Sequence, residues 1–356
     1  MSKQKKQATG FAGFVERIQT QMILNPQFAF TIVVAALVYG YFAFTEDNYF
    51  SFRNTFAIME GFVVLGLVTL GLTVTIIAGE IDLSIGSMAA LTGVIVVQLN
   101  DPLGAVPALI IGVGIAGLLG AIQGFIIQWL RISAIVFTIG TLMFLRGVSL
   151  LVAGEQTVVL RNFEFGDFLK TQWWIFSPAS VIAIVVFVGI GLVLKYHKFG
   201  REIYAIGGAR KEALAAGISL TRPMVLAFLI SGFCAGLAGA IVGLRSGSAQ
   251  PLGLQALLLT GTTAAFAGGV SISGGKGSAI GAALGTFLIG FLVSGLTFRA
   301  TPAYIRGIVL GILLLIVIFV ELAAAAFDRY QTRKVLLAAT DERAETLRSL
   351  RLNQSA

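Results

Sequence analysis

Ten apolar runs, most of them long enough to cross a bilayer, constrain this chain more than any motif does. They lie near 28–45, 57–79, 84–99, 103–129, 134–153, 173–195, 224–244, 257–270, 276–298 and 303–323. A helical crossing takes about 20 apolar residues. The period-2 alternation of barrel strands is not seen. With 57% hydrophobic and 12% charged residues, there is too little polar surface to cover a soluble globule. The expectation is an all-α polytopic membrane protein with about ten transmembrane helices. The runs at 84–99 and 257–270 are short and flanked by glycine. Short segments of this kind mark broken or re-entrant helices, because irregular backbone at membrane depth must be satisfied by protein or water.

Basic residues set the expected orientation. With the N-terminus in the cytoplasm, 18 of the 25 Lys and Arg fall on the inside, so both termini are expected there. The net charge of +8 then follows from topology and anionic lipid, and no nucleic-acid partner is implied. Three segments result: a cytoplasmic amphipathic stretch at 1–27, a membrane domain at 28–323 and a cytoplasmic tail at 324–356. In the first, Phe11, Phe14, Val15, Ile18 and Met22 share one helical face. The domain includes a charged cytoplasmic loop at 196–223, and the tail is predicted to be helical.

The chemistry available is narrow. Cys234 is the only cysteine and lies in an apolar run, and His197 is the only histidine. Neither a disulfide framework nor a thiolate or histidine metal site can be built from them. No catalytic set and no metal ligands are expected. Gly112, Gly114 and Gly117 spell G-x-G-x-x-G inside a continuous apolar run with no preceding strand, which excludes a dinucleotide fold. The segment VSISGGKGS has Val270 where a phosphate loop needs its first glycine, and Gly277 where it needs Ser or Thr. No ATP site is expected in this chain. Glycines at four-residue spacing (Gly232 and Gly236, Gly239 and Gly243, Gly277, Gly281 and Gly285) predict close helix packing.

Three stretches carry a resemblance. TIIAGEIDLSIGSMAALTG (75–93), YAIGGARKEALAAGISLTRP (204–223) and AFAGGVSISGGKGSAIGAALG (265–285) resemble signature regions of the permease subunits of ribose-type ABC importers. That group serves ribose, xylose, arabinose, galactosides and autoinducer-2, and the likeness spans roughly 55–322. It implies a bacterial inner-membrane subunit that works with a second permease, identical or different. Its other partners would be two cytosolic ABC ATPase domains, which bind the ATP and Mg, and a periplasmic sugar-binding protein. It also implies a cytoplasmic coupling helix with an E-A-A-x-x-x-G pattern that docks on the ATPase. Ala213 and Gly217 match that pattern, whereas Lys211 takes the glutamate position and Glu212 the first alanine; Arg210 precedes them. The residues agree independently, since Lys211 to Ala216 favour helix, Gly217 is a natural C-cap and Pro223 suits the next helix start.

Acidic groups interrupt the chain at Glu80 and Asp82. Asp82 or Ser84 can cap the following helix. Glu80 stands where members of the resembled group commonly have glycine, and a pair with Arg131 is expected. Arg146 is the most deeply placed basic residue, a candidate for the path, for an intramembrane pair or for snorkelling. Thr73, Gln123, Thr138 and Gln250, with Thr75, Thr141 and Thr260, are neutral candidates for contact with a hydroxyl-rich solute. The competing classes lack support. Neither midplane carboxylates for an ion-coupled carrier nor a filter for a channel stands out. A permease for branched-chain amino acids or nucleosides is the nearest alternative.

Overall fold

The computed structural model describes residues 26–323 and residue 326. The expected N-terminal helix and the tail beyond 326 lie outside the described residues. The chain divides into two compact units, 1–310 and 311–356. In the second, the described residues are helical through Ala323. The candidate site belongs to the first.

Ten helices answer to the ten apolar runs. They are α1 (Pro26–Thr45), α2 (Phe52–Ile77), α3 (Ile85–Leu103), α4 (Ala105–Leu130) and α5 (Ala134–Ala153), then α7 (Pro178–Tyr196), α10 (Thr221–Ser246), α11 (Ala256–Ala267), α12 (Ala279–Phe298) and α13 (Ala303–Ala323). Eight of them are long and apolar enough to span a membrane; α3 and α11 fall outside that set. The helix expected over Lys211 to Ala216 is present as α9 (Arg210–Ala215), while two further helices were not anticipated: α6 (Glu164–Lys170) and α8 (Lys198–Gly208). Nor was a two-residue antiparallel ribbon, β1 (Val158–Val159) with β2 (Ser248–Ala249).

Local chemistry fixes the boundaries that hydropathy misplaces. Ser51 accepts from the Asn54 amide at 3.2 Å, so α2 starts five residues before its apolar run does. Ser177 and Ser180 form a reciprocal cap with Pro178 in the first turn, and α7 starts there. The apolar residues Trp173 to Phe176 that precede it form a turn instead, with Trp173 N donating to Phe176 O at 2.7 Å.

Helices α2 and α10, each of 26 residues, form the core. α10 packs on α4, α3 and α2, while α12 and α11 close on the other side of α2. Small residues permit this closeness. A side chain at Gly232 would meet the Ala116 carbonyl of α4, and one at Gly239 the Ala89 carbonyl of α3. Gly281 and Gly285 do the same against α11. One expectation needs correction: Gly277 lies in the loop before α12 rather than on its face.

α3 and α11 begin inside the bundle. Gly71 packs on Ile85 and lies six residues before the end of α2, about 9 Å along the axis. Gly86 packs against Leu254 and Gln255. Both helices thus start at one interior level; α3 is not short as its apolar run suggested, since its 19 residues cover about 28 Å, whereas the 12 residues of α11 cover about 18 Å of a hydrocarbon layer about 30 Å thick.

Candidate functional site: an interior polar cluster and a glycine junction

The loop that returns the chain from α2 to α3 carries Asp82, which is 2% exposed. Its Oδ1 accepts from the Ser84 amide at 2.9 Å and from Ser84 Oγ at 2.6 Å, and its Oδ2 accepts from Ser231 Oγ of α10 at 2.7 Å. Ser84 Oγ also lies 3.2 Å from Gln123 Oε1 of α4. Thr138 of α5 accepts from the Leu83 amide at 3.2 Å. One re-entrant loop is therefore tied to three helices. No basic side chain pairs with Asp82 among the described residues. Three donors offset the cost of a carboxylate at depth.

The capping role expected here is altered. Ser84 occupies the N-cap of α3, but its hydroxyl turns to Asp82 and Gln123 and makes no cap hydrogen bond to the first turn. Asp82 holds only the Ser84 amide, in the manner of a residue bonding the backbone two positions on. Thr73 Oγ1 and Gln123 Nε2 are buried without a partner. Gln123 also borders a cleft of about 560 Å³ between α4 and α5, shared with Leu119, Ile122, Phe137, Thr141 and Leu145. Those walls are largely apolar and suit an acyl chain better than a sugar.

At the end of α2, the three stretches that carried the resemblance meet. Gly275 donates its amide to the Ile77 carbonyl at 2.9 Å. Gly207 of α8 lies against that same carbonyl with no room for a Cβ, and Gly79, Gly208 and Gly274 complete the contact. Tyr204 of α8 donates to the Gly277 carbonyl at 2.8 Å. Burial pushes the pKa of this phenol up, so it stays a donor at neutral pH. The glycines of the failed phosphate-loop match thus serve backbone approach.

The 196–223 segment is not one loop but two helices. His197 caps α8, its Nδ1 accepting from the Phe199 amide at 3.3 Å, and Ile203 and Ile206 anchor that helix inward. α9 follows and ends in a Schellman motif: the Gly217 amide donates to Leu214 O at 2.9 Å and the Ile218 amide to Ala213 O at 3.0 Å. Gly217 has φ +78°, the left-handed conformation that this closure needs. Ala213 is buried, whereas Arg210, Lys211, Glu212 and Leu214 are exposed. Thr221 rather than Pro223 begins α10.

Glu80 pairs with Arg210 at 3.1 Å and not with Arg131, which closes α4 in a left-handed conformation. The structure brings α9 beside the α2–α3 loop, a proximity that sequence distance hides. This half-exposed pair contributes about 0–1 kcal/mol. Arg146 Nη2 donates to Gln255 Oε1 at 2.7 Å. Gln250 is exposed and follows β2, outside any helix, so it is not a span residue.

One feature at the opposite end escaped the sequence reading. Glu60, within α2, pairs with Arg245 at the end of α10 and accepts from the Ser177 hydroxyl that caps α7. An acid inside an apolar run was the available signal.

Eight helices fit to cross a membrane, two more that begin inside the bundle and an embedded carboxylate define a polytopic transport protein. A family model for permease components of branched-chain amino acid transport systems matches residues 54–318. The D-allose transport system permease protein of Escherichia coli K12 is 30% identical over 332 residues, which is 89% of this chain and 98% of that protein. The ribose import permease protein of Bacillus subtilis 168 is 31% identical over 271 residues, 75% and 84% of the two chains. An autoinducer 2 import permease protein of Photorhabdus luminescens is 28% identical over 306 residues, 85% and 91%. No solved structure matches. The chain belongs to this family of transport permease components, as a multi-pass protein of the bacterial inner membrane.

Proposed function

We propose that this chain is the membrane-spanning subunit of an ATP-binding cassette importer and passes a monosaccharide or related polyol inward. It works as a pair of permease subunits with two cytosolic ATPase domains, which bind ATP and Mg, and with a periplasmic binding protein that delivers the solute. Both termini and α8–α9 face the cytosol. The observation that carries this reading is the glycine junction. It seats the end of α8, which leads directly into α9 with its outward Lys211, Glu212 and Leu214, against the loop that holds Asp82. Closure of the ATPases on ATP would move α9, and a backbone-to-backbone contact passes that motion to α3 and α11 with little slack. The interior helices then open to one side and the other in turn. The sugar relatives favour a sugar, while the family description keeps branched-chain amino acids as the second reading.

Uptake of labelled D-allose, D-ribose and leucine by cells expressing the complete system discriminates these readings. Sugar uptake that stops on ATP depletion is expected. Uptake that instead follows the ion gradient, or only of leucine, would replace the proposal. Gly217→Pro, or reversal of charge at Lys211 with Glu212, should cut uptake at least 10-fold with insertion unchanged. The first loses the left-handed turn and an amide donor, and the second alters the exposed face of α9. Normal uptake in both would remove the coupling role.

A further inference from the structure

Arg146 sits where a cation is costly. It lies twelve residues beyond Ala134, about 18 Å along α5 at 1.5 Å per residue, near the middle of the hydrocarbon layer. Its hydrogen-bond partner Gln255 is neutral, its Nε is buried without a hydrogen bond, and no carboxylate pairs with it among the described residues.

Two hydrogen bonds fix how α5 lies along α3. The Leu83 amide meets Thr138 Oγ1 at 3.2 Å, and Gln98 Nε2 meets the Val152 carbonyl at 2.6 Å, at sequence offsets of 55 and 54. The two helices therefore run parallel, and that offset sets Ser87 one turn from the level of Arg146. Ser149 lies one turn along α5 in the other direction. Both serines are nearly unexposed (3% and 0%), and neither hydroxyl has a hydrogen-bond partner. Gln255, the first residue before α11, has its Cα packed against Gly86 beside Ser87. In a cluster built only for stability these groups would satisfy one another. Here several donors and acceptors remain open within about two helical turns, roughly 11 Å along the helix axes, on either side of Arg146.

We propose that Arg146, Gln255, Ser87 and Ser149 form a contact station for a hydroxyl-bearing neutral solute halfway along the route. The guanidinium and the serine hydroxyls donate to solute oxygens, and the Gln255 amide orients the guanidinium. This inference rests on the transport reading above. The few hydrogen bonds suit passage, because a pathway must bind weakly enough to release.

Substituted cysteines in the assembled complex test it. Cys234→Ala removes the native thiol, and Arg146→Cys and Ser87→Cys are made singly in that background. Both should react with a hydrophilic, membrane-impermeant methanethiosulfonate, and millimolar D-allose or D-ribose should slow the reaction at least 3-fold. Reaction with lipid-soluble maleimide alone would put these positions against lipid or protein and overturn the proposal. In the otherwise native complex, Arg146→Met should lower sugar uptake at least 10-fold while assembly with the ATPase holds, and Arg146→Lys should recover part of the loss. Wild-type uptake by Arg146→Met would also overturn it. Failure of the unsubstituted system to take up any sugar would instead strike the transport reading, which the accessibility measurement does not depend on.

Discussion

Gly207→Val is expected to reduce ATP-driven uptake to a few per cent of the unsubstituted protein while the chain still inserts. A Cβ at this position would overlap the Ile77 carbonyl and come within 2.8 Å of the Gly275 amide, the two groups that bond each other at 2.9 Å. The three stretches meeting there would have to part by about the width of a side chain. The bundle itself need not fail, because α2 and α10 pack elsewhere on α3, α4 and α12. What fails is the stiffness of the link between α9 and the Asp82 loop. Gly207→Ala should give an intermediate loss. Gly189→Val, at a glycine with no neighbour within 4 Å of its would-be Cβ, should transport normally. Membrane abundance, recovery of the ATPase with the purified chain and sugar uptake are measured together. Full uptake by Gly207→Val would show that motion reaches the interior by another route.

What the sequence disclosed, and what it withheld, divides along one physical line. Hydropathy measures transfer of single segments into lipid, so the ten apolar runs and the interruption around Glu80 and Asp82 were legible. The Schellman end of α9 was legible too, since a glycine after helix formers acts locally. Contacts between distant segments were not. Nothing in the order of residues says that Arg210 rather than Arg131 faces Glu80, or that the VSISGGKGS glycines abut Gly79 and Gly207. Trp173 and Trp174 read as the start of a span because they are apolar, yet they lie in the loop before α7, whose start Ser177 and Pro178 fix. Gln250 has the hydrogen-bonding chemistry of a path residue, but its place after β2 and outside any helix depends on a strand pairing between distant segments. Glu60 was passed over although its position within a run was itself the signal.

That overlooked pair gives the second large effect. Arg245→Leu should lower the stability of the chain by about 3–5 kcal/mol, because it leaves the Glu60 carboxylate partly buried and uncompensated. Side-chain exposures of 20% for Arg245 and 11% for Glu60 place the pair largely out of water. Glu60→Leu should cost a similar amount, by stranding the guanidinium and by freeing the Ser177 hydroxyl that caps α7. The double variant Glu60→Leu with Arg245→Leu should recover most of the loss, since both desolvated charges are gone and leucine fits an apolar setting. Thermal unfolding of the purified chain in mild detergent, together with its abundance in membranes, reads the cycle. Equal destabilisation in the double and single variants would mean that these side chains act by shape alone. Recovery of stability without recovery of uptake would mean something further. Glu60 and Arg245 join α2 and α10, the helices that form the core, at the end away from the glycine junction. If transport requires that end to separate and close again, an ion pair can part into water-filled space and re-form, whereas two leucines would hold it shut.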